Sequence, residues 1–544
     1  MLDTTLGRSP VTTVAQARQR ADIYWFGWFL GLLGMTVLSA AMMYLIGPIP
    51  VPVGGILFIA TLAAFFYEPR FGLYFVTFFS LVGDSVLLPW YPFVKNLSSP
   101  ESLLYIHSAL IFSPLELYLA LITAVWLGKG IIRRRLDFHT GPLTGPALFF
   151  NAMMAVGLFY GLGTGGDVNV GLWEVRAIFY LPLLLILAGN LLTEREHYSQ
   201  LMWVLMLAIF CEGLLGTYTY FVVLQSRLNL VDAITEHSAA IHMNTLFVFT
   251  LAVWMLRGSI AKRLVLPFLV PPVLISYFAT QRRASYIALG IALILMAHVL
   301  YRERRALFWK IAPIALVLVA AYMGLFWNSG SAIGQPAQAV RSIVAPESGS
   351  ADESSNIYRI LENLNVAYTI TRSPLLGVGF GNKFHVLVAL PDISFFIWWE
   401  YIVHNSILWI WMKAGLLGFL SLLVLISFGI MTGVRVTWRM PGGDLQAIAL
   451  TATLYLIMHF TYAYVDMSWD TQSMLYVGVM LGVLNSLEHV VAKPVAAPPK
   501  RWPWQPDSML TANIVPLPQE TAPPAAAPGR NAGARQKARE GASL

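Results

Sequence analysis

The sequence contains a single cysteine, Cys211, so no internal disulfide and no thiolate metal cluster can form. Charge is scarce too. Asp, Glu, Lys and Arg make up 12% of the 544 residues, where a soluble domain carries about 25%. Hydrophobic residues make up 57% and mean hydropathy is +0.66. That balance excludes a water-soluble globular chain and describes a polytopic membrane protein. The formal net charge of +7 is not a nucleic-acid signal. Most of it lies in short connections and in the tail, where basic residues set topology. A small-residue cleavage site is also missing after the first apolar run. The run from Ile23, preceded by Arg8, Arg18 and Arg20, therefore reads as a retained helix and not a cleaved leader. There is no internal repeat.

What is present is a series of apolar runs, each near the ~20 residues that span a bilayer. Candidate spans fall at 23–46, 49–67, 71–90, 109–128, 144–163, 175–193, 200–224, 239–256, 264–280, 284–301, 309–327, 406–432, 446–466 and 471–488. The expected fold is all-α, with about 12–14 transmembrane helices and one large outer loop, periplasmic in a Gram-negative cell, carrying a short helix. The chain divides into a cytoplasmic N-terminal segment (1–22), a first helix set (23–327), the loop (328–405), C-terminal helices (406–488) and a Pro/Ala-rich tail (489–544). The tail cannot bury a core and is expected to be disordered. With the N-terminus inside, eighteen arginines and lysines fall on the cytoplasmic side, against Lys95, Arg227, Arg282 and Arg283 in the short outer loops. The positive-inside bias then predicts both termini in the cytoplasm and the loop outside.

Residues 355–420 are where the apolar pattern breaks. Ile357, Ile360, Leu361, Leu364, Ala367 and Tyr368 recur at helical spacing, with Arg359, Glu362 and Asn363 on the other face. Pro374 and glycines 377, 379 and 381 stop that helix. These glycines follow a helix and not a strand, so they are no nucleotide loop. His404 then precedes Asn405 and Ser406, suitable N-caps for the next span.

Several polar residues gather at the expected outer face. Arg282 and Arg283 open the tenth span. Arg176, beside Glu174, opens the sixth. His237 and His242 start the eighth, and Asp466 and Asp470 lie between the last two. An arginine there runs against the positive-inside bias and calls for an acidic partner or an anion. The guanidinium fork suits a diphosphate, since it bonds two oxygens at once. A histidine among such arginines can take a proton from an attacking hydroxyl. Each residue also has a structural reading. Arg283 and Arg359 can pair with Glu362, Glu353 or the aspartates, and Arg176 with Glu174. His237, His242 and His385 can be structural, His459 and Lys413 can be bonded within the bundle, and tryptophans 398, 409 and neighbours can be an interface belt or a sugar-stacking surface.

Three stretches, RRAS at 282–285, YRILENLNVAYTITRSPLLGVGFGN at 358–382 and HNSILWIWMKAGLLGFL at 404–420, resemble the O-antigen ligase and O-antigen polymerase superfamily of bacterial membrane glycosyltransferases. The resemblance implies a polyprenyl-diphosphate-linked glycan as donor, a sugar hydroxyl as acceptor and no metal or other cofactor. It implies diphosphate binding by Arg283 and Arg359, with Arg282 and Arg176 as further candidates, and His404 as base. The family's Ser-Arg-Gly is here Arg282-Arg283-Ala284. A polymerase building surface polysaccharide or exopolysaccharide is preferred to a ligase joining glycan to lipid A core, because the span count is high. The expected address is the bacterial inner membrane, with membrane lipids and polysaccharide assembly proteins as neighbours. A flippase of lipid-linked sugars is the reading from another class. It expects charges at mid-membrane and paired halves.

Overall fold

The computed structural model describes residues 22–38, 60–84, 86–87, 93, 95–100, 105–108, 110–134, 138–228, 233–345, 349, 351–391 and 398–492. Most of the N-terminal segment, the junction of the first two expected spans and the Pro/Ala-rich tail lie outside them. Among the described residues every regular element is a helix. In order they are α1 (Asp22–Leu38), α2 (60–67), α3 (Pro69–Val82), α4 (Pro114–Ile132), α5 (Thr144–Gly163), α6 (Val168–Leu191), α7 (Arg195–Tyr218), α8 (Ala239–Met255), α9 (Ile260–Ala279), α10 (Arg283–Glu303), α11 (Arg305–Phe326), α12 (Gln335–Val344), α13 (Ala351–Arg372), α14 (Ser406–Arg439), α15 (Asp444–Ala463) and α16 (Thr471–Ala492).

Ten of these helices are long and apolar enough to cross a membrane. Three of the others coincide with expected spans but are shorter: α1, α3 and α8. Short connections fold the long helices back on one another as antiparallel neighbours. Helices α3, α15 and α16 form the middle of the bundle, and every residue of α3 is buried. At the other extreme α11 has no buried side chain and stands at the periphery. A helix that is apolar all round and unburied by protein is a lipid-facing span.

The polar ends of the bundle differ. At one end basic residues meet acidic or carbonyl partners between helices: Arg70 with Asp22, Lys262 with Asp444, and Arg435 and Arg439 with Glu488. The opposite end gathers the C-terminus of α3, the N-termini of α4, α6, α8, α10, α14 and α16, and the segment 328–405.

Among its described residues that segment holds two α-helices, α12 and α13, of 10 and 22 residues, where one short helix was expected. The face of α13 turned toward the protein is mixed, with Val366 and Ile370 buried among polar residues. Glu362, Asn365 and Thr369 are buried, while Ile357, Ile360 and Leu364 are exposed. Helix α14 is 34 residues long, about 50 Å at 1.5 Å per residue, which exceeds the ~30 Å hydrocarbon core. It is broken at Gly415, whose φ is +68°. The chain after α13 threads into this break. Val378 and Gly379 donate to the carbonyls of Met412 and Lys413, and Leu416 donates to the carbonyl of Pro374. Gly379, at φ +81°, passes so close to α5 that a Cβ would lie 2.2 Å from the Cα of Gly161. The glycines punctuate the loop because backbone meets backbone there.

Candidate active site

At the His404 end three connections converge on α13. His404 sits two residues before α14. Its backbone N–H donates to Glu362 Oε2 at 2.8 Å, and its Nδ1 lies 3.1 Å from both carboxylate oxygens. Glu362 is buried and His404 partly exposed. The ring of Tyr358 meets the imidazole edge to face, with centroids 5.5 Å apart. Arg359 is one helical turn from Glu362, so the two side chains share a face of α13. Its Nη2 lies 3.7 Å from Asp466 Oδ2, in the turn between α15 and α16. The other oxygen of Asp466 is 3.2 Å from His237 Nδ1, just before α8.

Asp466 is the hub of the group. Burial works against its ionisation, but the His237 hydrogen bond and the charges of His237, Arg359 and Arg282 outweigh burial and hold its carboxyl below the usual carboxylate range. Ser406 donates to its carbonyl oxygen at 3.0 Å, which ties the start of α14 to the same turn. Glu236 next door behaves oppositely. Burial, then the charges of Asp84 and Asp470, push it up to about 7 against the pull of Arg282.

The structure thus brings together Arg359, His404, Arg282, Asp466 and His237, all of them among the polar residues singled out from sequence, His237 there with a structural reading. Arg282 is the N-cap of α10, and its charge acts on both Asp466 and Glu236. The Nε atoms of Arg282 and Arg359 are buried without a hydrogen-bond partner. Two guanidinium donors left unsatisfied around a single carboxylate suit an added anion with several oxygens. Arg283 is the first residue of α10, beside them.

Arg176 is engaged elsewhere. Glu116 on α4 takes its Nε and Nη2, Asn96 accepts from Nη1 at 2.6 Å, and Tyr180 accepts from Nε at 2.9 Å. The expected pairing with Glu174 does not occur, because side chains two apart on a helix point away from each other. Glu174 bonds Lys413 instead, at 2.7 Å, with both side chains fully buried. Its other oxygen accepts from Gly381 N–H at 2.6 Å. Lys413 also reaches the carbonyl of Asn382 at 2.5 Å. Glu174 and Lys413 therefore pin the glycine-rich loop to α6 and to the break in α14.

The remaining histidines lie apart. His242 and His459 are buried among the tyrosines of α15 and α16, and His385 is exposed and bonded through its backbone to Thr369. One group of potential metal ligands, Asp22, Glu194 and His197, sits at the far end of the bundle. There Arg70 already donates to Asp22 at 3.0 Å, so a cation is in place.

A cavity of about 720 Å³ opens beside the Asp466 group. It is lined by His237, Glu236 and Ser406 and by Arg176, Trp173, Trp398, Trp409 and Trp469. Sequence reading missed Glu362 as the partner of His404 and Glu116 as the partner of Arg176. The first was legible in principle, since Arg359 and Glu362 are spaced to share a helix face. The second joins residues on two helices, 60 positions apart, and no local pattern announces it.

Residues 268–423 match the O-antigen ligase family. The match supports the O-antigen ligase/polymerase superfamily, and with it a membrane enzyme of the ligase/polymerase type. The O-antigen ligase segment runs from within α9 to within α14. It therefore contains Arg282, Arg283, Arg359, Glu362, His404 and Lys413, whereas His237, Asp466 and the Arg176 wall lie outside it. No curated protein matches the chain.

Proposed function

We propose that the protein transfers a glycan from a polyprenyl diphosphate to the hydroxyl of an acceptor sugar, at the periplasmic face of the inner membrane. The observation that carries this reading is the shared face of α13. Arg359, with an unsatisfied buried donor, stands one turn from the carboxylate that holds His404. Anion site and base are then both tied to neighbouring turns of one helix, Arg359 directly and His404 through Glu362, as group transfer requires.

In the reaction the acceptor oxygen attacks the anomeric carbon as the bond from that carbon to the diphosphate oxygen breaks. The proton leaves the hydroxyl for His404. Because Nδ1 faces the Glu362 carboxylate, it carries the ring N–H, and Nε2 keeps the lone pair that accepts. The leaving diphosphate takes up negative charge, which Arg359 and Arg282, with Arg283 alongside, stabilise by fixed donors. No step calls for a metal.

Polymerase is the preferred version of the enzyme, on the fourteen apolar runs of the sequence. The flippase reading loses ground because Arg282, Arg359 and His404 gather at one end of the bundle and not along a mid-membrane path.

The test is complementation of a deletion strain with His404→Ala, scored by surface polysaccharide on a gel, with membrane levels checked by blot. The expected result is normal protein and a transfer rate reduced ~10²–10⁴-fold, the usual worth of a general base. Single repeat units accumulating on the lipid mark a polymerase, and full-length unattached chains mark a ligase. Normal polysaccharide from His404→Ala sinks the mechanism.

A further inference from the structure

The cavity next to the Asp466 group has a chemistry of its own. Four tryptophans line it, drawn from three separate parts of the chain: Trp173 on α6, Trp398 and Trp409 around the start of α14, and Trp469 before α16. Trp173 and Trp398 stack on each other at 4.7 Å with nearly parallel rings. The indole N–H groups of Trp409 and Trp469 are spent on the carbonyls of Tyr401 and Ser406, so these rings offer the cavity faces and edges, not donors. Trp411 differs. It stacks on Phe419 at 4.7 Å and does not line the cavity. The tryptophan-rich stretch expected to be either belt or sugar surface is thus divided between the two.

Between the aromatic walls lie polar atoms that protein leaves unsatisfied. Ser468 Oγ and Gln472 Oε1 are buried and have no hydrogen-bond partner, and both residues line the cavity. Charge in the walls is of both signs. Arg176 is held by Glu116 and Glu174 by Lys413, and the other charged lining residues are Lys95 against Glu236 and Asp470. A phosphate would find little net attraction here, in contrast to the neighbouring arginines. The volume of about 720 Å³ falls in the range of roughly 300–1,000 Å³ usual for small-ligand sites. Flat aromatic faces, scattered uncharged donors and acceptors and a volume of that size fit a neutral pyranose. Its C–H face is apolar and weakly positive, which suits the negative face of an indole, and its rim of hydroxyls seeks neutral partners.

We propose that this cavity is a saccharide subsite that seats neutral sugar rings of the glycan beside the reacting centre. This rests on the transfer reading above for its context, though not for its test. Sugar rings of the donor and of the acceptor share this chemistry, and the experiment separates them.

Full-length protein in detergent is titrated with three probes: the repeat-unit oligosaccharide released by mild acid from the host's lipid-linked precursor, the intact precursor, and polyprenyl diphosphate without sugar. The released oligosaccharide is expected to bind wild type and to bind Trp398→Ala at least about tenfold more weakly, as truncation of a buried aromatic anchor does. Gln472→Ala weakens it in the same direction, Trp398→Phe retains most of it, and the bare lipid diphosphate binds all variants alike. If Trp398→Ala also weakens the intact precursor, the seated rings belong to the donor. If precursor binding is unchanged, they belong to the acceptor. Equal binding of the oligosaccharide to wild type and Trp398→Ala, or none to wild type, overturns the proposal. His404→Ala, titrated in parallel, is expected to bind the oligosaccharide at wild-type strength. Its activity decides the transfer reading separately.

Discussion

At His404 the two ring nitrogens have different surroundings. Nδ1 faces a buried carboxylate at 3.1 Å, and the same carboxylate accepts the residue's backbone N–H. Ring and backbone are therefore fixed together, and the tautomer follows from the acceptor-only character of Glu362. Glu362→Gln keeps the shape but lets the amide donate as well as accept, so the tautomer is no longer imposed. The expected outcome is a fall in kcat, smaller than the ~10²–10⁴-fold loss from removing the base itself, with KM for the lipid-linked donor nearly unchanged. Glu362→Asp should recover part of the rate. A purely structural glutamate would lower the amount of folded protein and leave kcat alone. Glu236 gives a prediction in pH. Burial, then Asp84 and Asp470, raise its folded value to about 7, above an ordinary glutamate at ~4.3. A raised carboxyl favours the fold below the unfolded value and loses that contribution as pH rises through the folded one. Glu236→Gln should therefore melt above wild type at pH 8, and the gap should close toward pH 5.

The glycine-rich loop and the break in α14 hold each other. Their common fastener is the ion pair of Glu174 and Lys413, 2.7 Å apart and fully buried. Removing one member of such a pair strands the other charge and costs about 3–5 kcal/mol, whereas replacing both is close to neutral. Lys413→Met and Glu174→Gln should each lower thermal stability in detergent, and the double variant should recover much of the loss. Equal and additive losses would mean that the pair does not hold the loop. Helix α13 teaches a different lesson. Its 3.6-residue pattern correctly announces an amphipathic helix, yet periodicity gives two faces without saying which meets the protein. Here the face that carries Glu362, Asn365 and Thr369 does, together with Val366 and Ile370, because it holds the groups that His404 and Asp466 require, and Ile357, Ile360 and Leu364 are left outside. In a chain whose surroundings are lipid as well as water, an apolar stripe is no guide to the core.

At the scale of the whole molecule, charge divides the two ends of the bundle. Lys383 is exposed at the His404 end, and Arg302 lies at the C-terminus of α10, at the other. In a Cys211→Ala background, a cysteine at position 383 should react with a membrane-impermeant maleimide in intact cells. A cysteine at position 302 should react only after permeabilisation. The reverse pattern would put the Arg359 and His404 group in the cytoplasm and remove the proposed periplasmic reaction. Composition and run length alone determined that this is an all-helical, multi-pass membrane protein, since hydrocarbon admits little else. Local spacing also determined α13, the loop that ends it and the place of His404 before a helix start. Only the tertiary structure decided the partners. Arg176 goes to Glu116, Glu174 to Lys413, His404 to Glu362 and Arg359 to Asp466. Three of these four pairs, all but His404–Glu362, join residues 60 or more positions apart. Ion pairing depends on distance in space, and local sequence patterns encode only distance along a helix or strand.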